Sequence, residues 1–300
     1  ISVITVAPIA LAIGKKSGYH KEALLLAMIG GGKAGNIISP NPNTIAVSEA
    51  FKVDLTSLMM KNFISAICAV VVTILLSTML SKKQGVQVTE NDLEQKEDKN
   101  LPSFIQAVAG PVVVVILLAL RPVASIVIDP LIALPVGGVV CALACGQIKN
   151  IREYAEFGLG KVVGVSVLLI GTGTIAGIIK ASALQYDVVH ILKMANMPAF
   201  LLAPIAGILM AGATASTTAG ATIGAQTFAG TLIKSGVSAL SAGAMVHAGA
   251  TVIDSLPHGS FFHATGGAAG LEIKERMKLI PYEMCVGLTS TVVAVMMYVI

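Results

Sequence analysis

Charge is what this sequence has least of. Acidic and basic side chains make up 12% of it and apolar ones 55%, whereas a soluble domain carries about 25% charged residues. That balance excludes an ordinary water-soluble globule. The net charge of +4 then bears on membrane topology, and no nucleic-acid partner is expected. There is no CxxC pair: Cys68, Cys141, Cys145 and Cys285 all fall in apolar stretches and read as small buried side chains. His247, Asp254, His258 and His263 fit no HExxH-type spacing, which leaves an intramembrane metalloenzyme as a remote alternative. "GGGKAG" lacks P-loop spacing and "GTGTIAG" is not a dinucleotide fingerprint, so no cofactor is expected. The opening residues have no Met, no basic stretch and no small-residue cleavage site, so they are not a signal peptide. The chain starts with Ile1 inside an apolar run, and more of a longer protein is expected to precede it.

What is present is a series of long apolar runs: Leu58–Leu80, Phe104–Leu120, Val123–Gly146, Val162–Ile179 and Ile280–Ile300. Each approaches the roughly 20 residues a helix needs to cross a bilayer. The expected fold is an all-α polytopic membrane protein. Only "SKKQGVQVTENDLEQKEDKNLPS" (Ser81–Ser103) reads as a soluble linker, a flexible surface loop. Basic residues favour the cytoplasmic side of short loops. With the linker in the cytoplasm, most of the 20 Lys and Arg, including Lys82, Lys83, Lys149, Arg152, Lys274 and Arg276, fall on that side.

Sliding Ala23–Thr44 onto Ala239–Ser260 reveals a weak repeat. Both segments are small-residue helices that stop at a proline-containing polar break and resume, and the expected topology runs them in opposite directions. Paired broken helices in inverted halves point to a transporter's binding site. The expected organisation is therefore the end of a first inverted repeat over 1–80, with a broken helix at about 23–50, then a cytoplasmic linker at 81–103. A second repeat over 104–300 follows, with a re-entrant hairpin at about 198–233 and a broken helix at about 237–270. On the same alignment the hairpin tip of the first repeat falls at or before the start of this chain.

Three polar clusters interrupt the apolar background. In "SPNPNT" (Ser39–Thr44) two prolines remove backbone donors and disfavour helix before them. Such a break is tolerated in a bilayer only where protein or a watery cavity satisfies the freed groups. The half-helix that follows offers a partly positive N-terminus to a carboxylate, and Asn41, Asn43 and Thr44 are expected to contact substrate. "GATASTTAGAT" (Gly212–Thr222) is either a close helix-packing face or a hairpin tip lining a site, with Ser216 and Thr217 at substrate. "DSLPHGS" (Asp254–Ser260) adds Ser260 to the substrate set. Its intramembrane Asp254 and His258 are costly and functional by default. They either form a proton-coupling pair or serve structure, Asp254 as a helix cap and His258 as a backbone partner. Lys33 either neutralises an anionic substrate, snorkels, or pairs with Asp254. His247 and His263 are weaker candidates.

Together "DSLPHGS", "ATASTTAGAT" and "ISPNPNT" resemble the gluconate permease (GntP-type) family of the ion transporter superfamily. The family's D-[ST]-L-P-H segment is matched by Asp254, Ser255, Leu256, Pro257 and His258. The resemblance covers the whole chain, as the C-terminal two-thirds of a longer permease. It implies proton symport of a small hydroxy-carboxylate across a bacterial inner membrane, two hairpins, two broken helices, a homodimer and an elevator-like movement. Two positions depart from the family. Gly259-Ser260 stands where Asn-Gly is frequent, and Ser39-Pro40-Asn41-Pro42 where Pro-Pro-His-Pro is. Glycerate and 3-hydroxybutyrate therefore stand beside gluconate as substrates, and a sodium-coupled carboxylate carrier is the nearest alternative.

Overall fold

The computed structural model describes residues 2–93, 102–124, 126, 128–194 and 197–300. Among these the regular structure is helical, with no strand. In chain order the α-helices are α1 (Ser2–Ser17), α2 (Lys21–Ile38), α3 (Pro42–Phe51), α4 (Leu55–Lys61), α5 (Phe63–Ser81), α6 (Phe104–Ala124), α7 (Pro130–Ala144) and α8 (Ile151–Ala181). They continue with α9 (Leu184–Met194), α10 (Leu202–Thr214), α11 (Thr217–Lys234), α12 (Ala239–Gly249), α13 (Ser260–Ala268), α14 (Ile273–Met277) and α15 (Ile280–Val299). Phe63–Ser81 and Ile273–Val299, with mean hydropathies of 2.5 and 1.6, are long and apolar enough to cross a bilayer. Phe104–Leu120, Pro130–Ala144, Leu169–Ile179 and Ala199–Thr214 are shorter apolar helices. Ile67, Val71, Ile74 and Leu75 on α5 are all exposed, a surface suited to lipid.

The chain forms two compact units, residues 96–168 and residues 1–95 with 169–300. In the first, α6 and α7 pack at glycines: a β-carbon built on Gly110 would stand 2.7 Å from the Gly137 carbonyl oxygen. Small residues at such crossings let membrane helices approach closely. The apolar run expected from Val123 does not form one helix from that point. α7 starts at Pro130, where Asp129 Oδ1 accepts from the Leu131 amide at 2.7 Å. An aspartate cap followed by proline starts a helix, whatever the hydropathy of the residues before it.

In the second unit, α10 and α11 form a helix–turn–helix packed against α12. Phe51, Phe228, Met245 and Val246 sit in its core. The turn residue Ala215 takes φ 45°, in the left-handed region, at a cost of about 1–3 kcal/mol. Ser216 caps α11, its Oγ accepting from the Ala219 amide.

The start of the linker is pinned, not loose. The Val86 amide donates to Glu22 Oε2 (2.9 Å), the Lys21 amide donates to the Val86 carbonyl (2.8 Å), and Lys21 Nζ meets Asp92 Oδ1 at 2.6 Å. Its residues 94–101, with Lys96 and Lys99, lie outside the described residues. Burial alone would raise the Asp92 pKa, but hydrogen bonds from Lys21 and Thr89 outweigh it and hold the carboxyl below its ordinary value of 3.8. A depressed carboxylate stabilises above its unfolded value and loses that contribution as pH falls through the folded one. Protection of the amides at 86–92, measured by hydrogen exchange and corrected for intrinsic rate, should therefore hold at pH 7 and drop below pH 3.8. Asp92→Asn should produce the same drop at pH 7.

Candidate functional site

Two helix interruptions and one helical turn meet around a cavity of about 710 Å³. The first interruption lies between α2 and α3 at Ser39–Asn41, the second between α12 and α13 at residues 250–259. The turn is the tip of the α10–α11 hairpin. Ser39, Asn41 and Asn43 reach the wall from the first break, Asp254 from the second, and Ser216, Thr217 and Thr218 from the tip. Val3, Val6, Met28 and Phe261 add an apolar side. The tip and the second break touch at Gly259, where an added β-carbon would lie 2.6 Å from Ala215 Cβ and 2.5 Å from its carbonyl oxygen. Only glycine fits there.

Asp254 is the centre of the polar wall. Its Oδ1 faces Lys33 Nζ at 2.5 Å and accepts from Ser255 Oγ at 3.0 Å. Its Oδ2 accepts from Thr217 Oγ1 at 2.5 Å. Lys33 Nζ also donates to the Thr251 carbonyl. Lys33 and Asp254 are 5% and 4% exposed. They are the only charged groups among the described residues lining the cavity, so the wall is neutral as a pair. Of the three roles open to Lys33, the structure forms the pairing with Asp254.

The first break is held by its own side chains. Asn41 Oδ1 accepts from the amides of Asn43 and Thr44, capping α3, while its Nδ2 donates to the Asn36 carbonyl at 2.6 Å and to Ser39 Oγ at 2.9 Å. Thr44 is fully buried, and its hydroxyl donates to the carbonyls of Ser39 and Asn36. Asn43 Nδ2 donates to Asn36 Oδ1 at 2.7 Å. Asn36, which the sequence reading passed over, thus joins the wall and organises the break. Its signal was its place three residues after Lys33, on the same helix face.

His258 and Ser260 are exposed and off the cavity wall. No hydrogen bond or ion pair joins His258 to Asp254 among the described residues. His263 Nε2 donates to the Pro257 carbonyl at 2.7 Å, bracing the second break from α13. His247 is fully buried on α12, away from the cavity.

A Haemophilus influenzae (strain ATCC 51907 / DSM 11121 / KW20 / Rd) protein described as an uncharacterized transporter is 51% identical over 298 residues. The alignment covers 99% of this chain and 71% of that protein. The chain belongs to that transporter's family. Within this transporter chain, residues 106–197 also match the Na+-H+ antiporter family. That stretch contains none of the cavity residues. No solved structure matches. Neither match names gluconate, so that resemblance rests on the motif segments alone. In this member of the transporter family, all three of those segments, at "SPNPNT", "DSLPHGS" and the "ATASTT" tip, contribute to one cavity.

Proposed function

We propose that this chain is the core of a multi-pass secondary transporter of the bacterial inner membrane, carrying a small organic anion such as gluconate, glycerate or 3-hydroxybutyrate together with protons. The observation that carries the reading is the cavity: it joins both helix breaks and the hairpin tip, and among its described lining residues the one cation, Lys33, sits beside the one carboxylate, Asp254. The N-terminal ends of α3 and α11 open onto the same space and favour negative charge. In this reading the halves 1–80 and 104–300 are inverted repeats around the 81–103 linker. The α10–α11 hairpin is re-entrant, and the protein works as a homodimer in lipid. Asn43, Ser216 and Thr217 contact the anion. Asn41 and Thr44 hold the break open for it, and Asp254 carries the proton. Ser260 and His258 flank the site.

Sodium coupling is the second reading, favoured by the match of residues 106–197 to the Na+-H+ antiporter family. Uptake of labelled gluconate, glycerate and 3-hydroxybutyrate into proteoliposomes of the intact protein decides between them. The expected result is accumulation driven by an inward proton gradient, unchanged when sodium is replaced by choline at fixed pH. Accumulation that requires sodium would replace proton symport with sodium symport, and no uptake of any small carboxylate would overturn the transport reading.

A further inference from the structure

We propose that Lys33 and Asp254 couple anion to proton by exchanging partners, which makes the substrate a monocarboxylate and the transport electroneutral, one proton per anion. This rests on the transport reading above.

Lys33 and Asp254 are buried, 2.5 Å apart, and alone in carrying charge among the described residues of the cavity wall. Charge left unpaired in a low-dielectric site is strongly unfavourable. Four occupancies of the site follow. With Asp254 ionised and no substrate, the wall sums to zero. An anion entering that state leaves one negative charge in excess, and its carboxylate must displace Asp254 from Lys33, the one cation among the described wall residues. A proton entering alone leaves one positive charge in excess. A proton on Asp254 and an anion on Lys33 sum to zero again.

Only the first and last states are neutral, and these are the ones able to cross the membrane. The exchange balances simply. A proton from water binds an Asp254 carboxylate oxygen and the Nζ···Oδ1 ion pair is lost. Lys33 stays protonated and keeps its bond to the Thr251 carbonyl. Its released N–H donates to the substrate carboxylate, and the proton leaves Asp254 when the anion departs.

The surrounding groups suit these steps. Thr217 Oγ1 donates to Asp254 Oδ2, and its hydroxyl is free to turn to the substrate once Asp254 is neutral. The tip residues Ser216, Thr217 and Thr218 line the cavity at the N-terminus of α11, so the carboxylate gains partial positive charge without a second full cation. A dicarboxylate would keep one negative charge uncompensated, and the site therefore rejects it.

The test uses proteoliposomes of the intact protein. Wild-type protein should move one proton per monocarboxylate, at a rate unaffected by a potassium-diffusion potential, and should carry succinate at least 100-fold more slowly. Asp254→Asn should become an exchanger whose rate is independent of pH from 5.5 to 8 and which accumulates nothing. Lys33→Met should bind the monocarboxylate at least 100-fold more weakly in a thermal-shift titration. The double variant Lys33→Met/Asp254→Asn, with neither charge, should melt close to wild type yet stay unable to bind, which separates loss of the site from loss of folding. Potential-driven uptake, pH-driven accumulation by Asp254→Asn, or wild-type affinity in the double variant would each overturn the exchange while leaving anion transport standing. Absence of any carboxylate uptake by the wild type would overturn both.

Discussion

Replacing Arg276 by methionine is expected to destabilise the protein by about 3–5 kcal/mol, because it strands a buried carboxylate. Arg276 and Glu283 are each 1% exposed and form a forked pair: one guanidinium nitrogen donates to Glu283 Oε1, the other to Oε2 at 3.3 Å. Arg276 Nε donates to Thr265 Oγ1, and the guanidinium lies 4.8 Å from the centroid of the Phe262 ring. One side chain thus ties α13 to the start of α15, next to the second break. Removing Arg276 alone leaves Glu283 desolvated and unpaired, whereas Arg276→Met/Glu283→Leu removes both desolvation penalties and should recover most of the loss. Unfolding of the purified protein titrated with SDS checks this. A double variant as unstable as the single one would show that packing around Phe262, not charge pairing, is what matters there.

The second large effect is expected at Gly259. Its α-carbon faces Ala215 so closely that an alanine methyl would lie 2.6 Å from Ala215 Cβ. Overpacking of this kind costs about 1–3 kcal/mol. Its consequence for transport should be larger, because the tip that must retreat carries Ser216 and Thr217. A displacement of about 1 Å at a positioning contact can cost on the order of 100-fold in rate, and Thr217 holds Asp254 through a 2.5 Å hydrogen bond. Gly259→Ala should therefore lower uptake by about two orders of magnitude while the protein remains folded. Gly230→Ala on α11, where an added methyl meets open space, should leave uptake intact and stabilise by about 0.5–1 kcal/mol, since glycine is costly inside a helix. Uptake rates for the two variants side by side make the comparison, and equal rates would remove the argument that the tip must sit against the second break.

The helix interruptions were legible in the chain because their cause is local. Pro40 and Pro42 remove donors wherever the segment lies, and α2 and α3 separate where they stand. Pro257 likewise falls inside the irregular stretch 250–259. What local reasoning did not reach was the structural use of the polar side chains nearby. Asn41, expected at substrate, lines the cavity while both ends of its amide are also engaged within the break. A side chain next to a helix N-terminus has unpaired backbone amides within reach, and those partners are always present. His258 was grouped with Asp254 because both are ionisable groups within one apolar stretch, with three residues between them. In an irregular segment that nearness does not set direction, and His258 faces outward.

The sequence by itself determined that this chain is apolar, helical and broken at two prolyl segments, since composition and proline act without reference to the rest of the molecule. Membership of a transporter family is carried there as well, in residues shared with a relative along almost the whole length. The tertiary structure alone decided that Lys33 meets Asp254. These residues stand 221 positions apart, and each had several partners open to it on paper. Burial removes water from both groups, so the only inexpensive arrangement is for each to neutralise the other. That pairing depends on how α2, the hairpin tip and the second break pack together, and no local pattern encodes it.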